Sequence, residues 1–276
     1  MQWLFWFSLL LISIIIMIYK KLPNNDKIPI LGIWTWWIWW YFSKELEKEF
    51  FFINLIKESI KIWYTLIDSA EWYLDWYSEK IVWKAIKNID RKKLFLCSKV
   101  SQDNLNYINL INSCKKSLNR LWVSYLDLYL IHWNNDRIDI AETMKAMNYL
   151  YENWLIKNIW VSNFWVDNLI KAQSVSKAKI VVNQVEYNFI NRNNWKYTKN
   201  VEKDVIPYCK ENNILVMAYS PLNKWKINIK ENNTWLTKEL YMLKWLLEKD
   251  WIITIFKSNN ISHLNDNYSI LKDIKL

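Results

Sequence analysis

Eight short apolar runs, near residues 30–34, 65–67, 94–98, 126–131, 156–161, 180–185, 214–218 and 252–256, are separated by longer segments with helical spacing. Alternation of this kind predicts parallel strands joined by crossover helices. Eight such units predict an α/β chain folded as a single-domain (β/α)8 TIM barrel rather than an open sheet. A length of 276 residues suits that fold, which typically takes about 250. The helical segments carry a signal of their own. Leu46, Phe50, Ile53, Ile56 and Ile60 recur at threes and fours before the second run, and Ile108, Ile111, Leu118 and Leu121 do so after the third. Each set is expected to form the buried face of a helix.

The runs end in chemistry. Asp68 closes the second and Tyr73 follows five residues on, Lys99 and His132 close the third and fourth, and Ser162 and Asn163 close the fifth. In a closed parallel barrel the C-terminal ends of the strands share one mouth, where a site is built. Any one of these residues could be part of a buried ion pair, a core phenol or a core imidazole. Gathered at successive strand ends, they point to a site.

One glycine among 21 tryptophans needs an explanation before the chain can be read further. Ordinary usage, near 7% glycine, would place roughly 19 in a chain of this length, and the deficit of about 18 matches the tryptophan excess. Trp63, Trp122 and Trp154 also stand at the ends of helical segments, where glycine enters the left-handed conformation freely and a bulky residue does not. The expectation is that about 17 of the tryptophans are UGA codons, which some bacteria read as glycine and another code table renders as tryptophan. Trp36, Trp133 and Trp245 are expected to be true tryptophan, while Trp3, Trp6, Trp195 and Trp235 are undecided. A chain truly this rich in tryptophan would have to seat pairs such as Trp36-Trp37 and Trp39-Trp40 in tight turns.

The formal charge is +10, but the lysines lie in ones and twos and form no basic block. A solvated surface is expected and a nucleic-acid face is not. Cys97, Cys114 and Cys209 have no paired or ligand-like spacing and there are two histidines, so reduced thiols, a cytoplasmic setting and no metal site are expected. Residues 4–18 are uncharged and end at Tyr19-Lys20-Lys21. That stretch is short for a membrane span and lacks the marks of a secretory signal. The expected reading is an overextended start, residues 1–16, before a barrel of residues 17–276 that opens with a hairpin turning at Pro23–Asp26. The alternative is a membrane anchor.

With glycine restored, Leu31 to Trp37, Ile67-Asp68-Ser69-Ala70-Glu71-Trp72-Tyr73, Leu121 to Trp133, Trp154 to Phe164, Asn183 to Asn188 and Ala218 to Leu222 fall in order at family spacings. From Ile28 nearly to its end, the chain resembles an aldo-keto reductase. The resemblance implies carbonyl reduction by hydride transfer, in which Asp68, Tyr73, Lys99 and His132 match the family's catalytic residues. Tyr73 would be the general acid. A phenol is a sluggish acid at neutral pH, so Lys99 would favour the phenolate as it forms, Asp68 would hold the ammonium, and His132 would orient and polarise the carbonyl.

No glycine-rich dinucleotide fingerprint is visible, so by resemblance the cofactor, NADPH with NADH possible, lies across the barrel mouth. Ser162, Asn163 and Gln184 would bind the carboxamide and Tyr219 would stack on the nicotinamide. Thr35 would line that end of the pocket. Ser220, Leu222 and the segment from Lys257 would receive the phosphates, with Lys257, Ser258, His263 and Asn267 around the adenosine end. Trp36 and Trp133 would face the small carbonyl substrate. Asn183 and Gln184 could instead be satisfied interior amides, and His263 could simply start a helix and face solvent. The stretch between Pro221 and Leu236 is short and polar, so a helix often present there is cut down, and the substrate is not legible. A monomer is expected. The rival reading is a nucleotide-binding sensor on the same barrel, against which an intact catalytic set argues.

Overall fold

The computed structural model describes residues 18–36, 46–195, 198–223 and 236–274. The apolar leader, Trp37, Trp39, Trp40, Trp225, Trp235 and most of the polar stretch after Pro221 lie outside the described residues. The described residues open with the expected hairpin, β1 (Tyr19–Lys21) paired antiparallel with β2 (Lys27–Pro29). Then come β3 (Leu31–Trp34), α1 (Leu46–Lys61), β4 (Leu66–Asp68), α2 (Tyr77–Ile86), β5 (Phe95–Val100), α3 (Tyr107–Leu121), β6 (Leu128–Ile131), α4 (Ile140–Glu152), β7 (Ile159–Ser162), α5 (Val166–Val175) and β8 (Ile180–Glu186). A small ladder, β9 (Asn194–Trp195) and β10 (Thr198–Lys199), leads to α6 (Ile206–Glu211), β11 (Leu215–Tyr219), α7 (Lys238–Leu247), β12 (Ile252–Phe256) and α8 (Ile261–Ser269).

Eight strands close a parallel barrel in the order β3-β4-β5-β6-β7-β8-β11-β12, with β12 pairing back to β3. Every residue of β5, β6, β7, β8 and β12 is buried. Helices cover the outside and side chains fill the inside, so these strands read as largely apolar runs. The hairpin crosses the N-terminal face. Asn24 and Asp26 hydrogen-bond Asn158, just before β7, at 2.9 and 3.1 Å, and Lys20 donates to the carbonyls of Lys249 and Asp250 ahead of β12. Gly32 sits where β3 and β4 approach closely, since a Cβ there would lie 2.5 Å from Leu66 Cγ.

Each of two predicted helix faces holds one residue that faces out, while Ile56 on α1 and Ile111, Leu118 and Leu121 on α3 are buried as expected. On α1 the buried side is Phe52, Leu55, Ile56 and Ser59, while Phe50 is 67% exposed; on α3 it is Leu110, Ile111, Cys114, Leu118 and Leu121, with Ile108 68% exposed. At 100° per residue Phe50 lies nearly opposite Phe52, Leu55 and Ile56, and Ile108 falls on the flank of its apolar stripe.

The three tryptophans at helix ends do adopt the left-handed backbone, with φ of 82° at Trp63, 53° at Trp122 and 59° at Trp154. Each closes its helix the same way. The tryptophan N–H donates three residues back and the next N–H five back: Trp63 to Ile60 and Tyr64 to Ser59, Trp122 to Asn119 and Val123 to Leu118, Trp154 to Tyr151 and Leu155 to Leu150. This is the Schellman motif, whose left-handed position favours glycine and then asparagine. Helix α6 ends in the same motif with Asn213 there, φ 57°. Trp122 and Trp154 are 78% and 80% exposed, so packing does not repay the strain. Trp160 is fully buried in β7, and its indole nitrogen has no hydrogen-bond partner among the described residues. Trp245 behaves as a packing residue, its ring 5.5 Å from Tyr187 and 5.4 Å from Phe189.

Candidate functional site

Strands β4, β5 and β6 bring Asp68, Lys99 and His132 to the same end of the barrel. The turn after β4 carries Tyr73 back over that end. Its N–H closes on the Ala70 carbonyl at 3.1 Å, and the chain then passes through three left-handed residues, Leu74, Asp75 and Trp76, into α2.

Lys99 is the hub. Its fully buried ammonium donates to Asp68 Oδ1, to the Ser69 carbonyl at 2.9 Å and to the Tyr73 hydroxyl at 3.0 Å, which uses all three of its protons. The other Asp68 oxygen, Oδ2, accepts from Gln184 Nε2 at 3.0 Å from across the barrel. The Tyr73 hydroxyl also accepts the indole N–H of Trp34 at 2.9 Å. The imidazole of His132 stands edge-on to the Tyr73 ring, with centroids 5.6 Å apart.

Burial, and then the Asp68 carboxylate behind it, hold the Tyr73 phenol well above its ordinary range, with the Trp34 bond pulling the other way. The proton therefore stays on the resting phenol. The help expected of Lys99 is confined to charge that forms as this proton leaves. Burial and then the Lys99 charge push His132 well below the ordinary imidazole value, so it is neutral and can donate one N–H. Burial also lowers Lys99 and raises Asp68. Both lean toward their neutral forms because each has lost its hydration, and their contact opposes the drift.

A cavity of about 620 Å3 opens over this cluster. The expected carboxamide and ring contacts meet in its wall. Tyr219 donates to Asn163 Oδ1 at 3.1 Å, Asn163 Nδ2 reaches the His132 carbonyl at 3.2 Å, and Ser162 Oγ donates to the Gln184 carbonyl at 3.1 Å. Trp36, Trp72 and Trp133 line the outer part. Ser220 lines it too, with a left-handed backbone (φ 53°) and a buried hydroxyl that has no partner among the described residues. Leu222 is buried in the turn that follows.

A second group gathers where β12 passes into α8. Lys257 is half-buried and lowered by desolvation, Ser258 Oγ accepts the Asn260 N–H at 3.1 Å, and Asn260 caps α8. His263 is exposed in the first turn and Asn267 is buried one turn on. Thr35 departs from expectation. It is buried behind the cavity wall, its hydroxyl 3.1 Å from both the Asp68 carbonyl and the Ser69 hydroxyl, and Ser69 bonds in turn to the hydroxyl of Ser78 on α2. Asn183 is a satisfied interior amide, bonded to the Phe164 carbonyl at 2.9 Å.

Three features were not foreseen. The Gln184–Asp68 bond links residues 116 apart and leaves no local trace. The rim residues Ser101, Gln102 and Asp103 follow β5, and the strand-end rule that found Lys99 extends to them. The third is the indole of Trp34, which reaches the Tyr73 hydroxyl.

The family model described as "Aldo/keto reductase family" matches residues 30–234. The methylglyoxal reductase YeaE of Escherichia coli is 30% identical over 264 residues, 91% of this chain and 88% of that one. The glyoxal reductase of Bacillus subtilis is 32% identical over 258 residues, 91% and 86% of the two chains. Among solved structures, a thermostable aldo-keto reductase in complex with the inhibitor epalrestat superposes with a TM-score of 0.87 at 36% identity, covering 94% of this chain and 96% of that one. An aldo-keto reductase from Klebsiella pneumoniae in complex with NADPH gives 0.80 at 26% identity, covering 95% and 92%.

Proposed function

This chain belongs to the aldo/keto reductase family, and on that premise we propose that it reduces small aldehydes or ketones with NADP(H), Tyr73 supplying the proton. The carrying observation is the single ammonium of Lys99, bonded at once to Asp68 and to the Tyr73 hydroxyl. The proton sits on Tyr73 Oη until a carbonyl oxygen accepts it. Lys99, 3.0 Å away, then stabilises the phenolate, while Asp68 keeps the ammonium charged and in place. Neutral His132 donates its N–H to the same carbonyl oxygen and fixes which way the carbonyl faces.

The residues present fit a nicotinamide dinucleotide. A flat wall at Tyr219, the amides of Asn163 and Gln184 and the hydroxyl of Ser220, which has no partner among the described residues, share one cavity. Ser162, Asn163 and Gln184 would hold the carboxamide. Lys257, Ser258 and His263 would hold the adenosine phosphate, by their place at the N-terminus of α8, with Asn267 one turn further along the helix. When bound, the cofactor supplies the hydride.

The substrates named for the relatives, methylglyoxal and glyoxal, head the panel for this protein, and Trp36 and Trp133 give the cavity an aromatic wall suited to small carbonyls. The proposed protein is a cytoplasmic monomer and carries glycine at the UGA positions. Among the described residues no helix is long and apolar enough to cross a membrane. The test is NADPH oxidation by the glycine-decoded protein across the panel. Turnover with at least one carbonyl is expected; NADPH binding without turnover of any would replace the enzyme with a sensor.

A further inference from the structure

The indole of Trp34 stands between the acid and the aromatic wall. It extends β3 by one register step beside Asp68, donates to the Tyr73 hydroxyl at 2.9 Å, lies 5.7 Å from the Tyr219 ring and stacks on Trp36 at 5.2 Å and 13°. The Tyr73 oxygen thus has two donors on it, the Trp34 indole N–H and the Lys99 ammonium. A carbonyl oxygen must reach that hydroxyl to take its proton, and a hydride donor must lie flat in the same cavity over the reacting carbon. The indole borders both places, since it bonds the Tyr73 hydroxyl and lies beside the Tyr219 ring.

We propose that residue 34 is the gate of the site. A side chain the size of tryptophan there closes the path to Tyr73 and takes the aromatic seat beside Tyr219, and glycine opens both. The inference rests on the proposed carbonyl-reductase reading and adds which residue admits cofactor and substrate to it. It also gives the codon question at this position a functional consequence. A tryptophan at Trp122 or Trp154 strains an exposed helix end, whereas a tryptophan at position 34 occupies the site itself.

A closed site lowers apparent affinity by the fraction of time it is open, so NADPH affinity reads the gate directly. Three variants of the chain as written are compared by calorimetric titration with NADPH and by methylglyoxal-dependent NADPH oxidation: Trp34→Gly, Trp34→Ala and Trp34→Phe. Opening is expected to tighten NADPH by at least about ten-fold for Trp34→Gly and Trp34→Ala, and carbonyl reduction should appear with it. Trp34→Phe keeps a ring but loses the N–H, and is expected to stay near the parent if bulk is what closes the seat. Trp34→Ala serves if the glycine variant fails to give a native melting transition. Parent and opened variants binding NADPH equally would overturn the gate and leave the cofactor reading standing. No binding by folded Trp34→Gly and Trp34→Ala would overturn the cofactor reading and the gate together.

Discussion

Gln184 donates from the far side of the barrel to Asp68 Oδ2 at 3.0 Å, so the carboxylate that steadies Lys99 is itself held from across the mouth. Truncating this amide in Gln184→Leu leaves a buried carboxylate oxygen without its donor. A loss of about 1.5–3 kcal/mol in unfolding free energy is expected, the usual worth of a hydrogen bond to a charged group. Denaturant titration reads it, and an unchanged midpoint would mean that Gln184 serves only the cofactor.

At the helix ends, Trp122→Gly and Trp154→Gly should each stabilise the protein, by about 1 kcal/mol, through relief of the left-handed backbone strain. In calorimetry that is a rise of about 2–4 °C in Tm per substitution. Asn213→Gly, at the equivalent place on α6, should gain less, because asparagine tolerates this conformation. The gene should carry UGA at Trp34, Trp37, Trp63, Trp83, Trp122, Trp154, Trp160 and Trp251, with UGG at Trp36, Trp133 and Trp245. UGG throughout the first group would end the glycine reading.

His132 supplies a pH dependence of known sign. Its folded-state pKa is depressed, so its protonation favours the unfolded chain. Its contribution to stability is fully present above the unfolded value near 6.5 and is lost as pH falls from there toward the folded value. Activity should show no His132 limb at pH 6.5, since the bound imidazole is still neutral. Comparing unfolding free energies of the parent and His132→Gln from pH 8 to 4.5 isolates the effect. Curves that stay parallel below pH 6.5 would contradict a buried neutral histidine.

His263 lies exposed on the first turn of α8, beside the Lys257–Ser258 turn. Arginine presents a fixed two-pronged donor that is always charged, which imidazole does not. His263→Arg is expected to tighten NADPH several-fold and leave NADH unchanged, measured by fluorescence quenching. Equal effects on both cofactors would remove residue 263 from the 2′-phosphate.

Strand positions were legible because parallel barrel strands are buried on both faces and so stand out as apolar runs, and the runs at 94–98 and 252–256 fall on β5 and β12 almost residue for residue. Asp68, Lys99 and His132 were legible for the same reason, as polar endings to apolar strings. What lay beyond the sequence is of two kinds. Phe50, opposite the buried side of α1, and Ile108, on the flank of that of α3, show that apolar spacing alone does not put every apolar residue on the buried face. Thr35 and Gln184 show that a side chain at a strand end can turn to a partner more than thirty residues away, a choice set by packing and not by local pattern.

The most direct test of the proton-donor assignment is Tyr73→Phe in the glycine-decoded protein, with NADPH affinity and carbonyl reduction measured side by side. The hydroxyl bonded to Lys99 is then absent while the cavity wall is kept. Reduction of methylglyoxal is expected to fall by about 10²–10⁴-fold or more, the usual contribution of a positioned general acid, with the NADPH dissociation constant within a few-fold of the parent. Reduction that survives near the parental rate, or affinity lost in equal measure with turnover, would contradict Tyr73 as the group that delivers the proton.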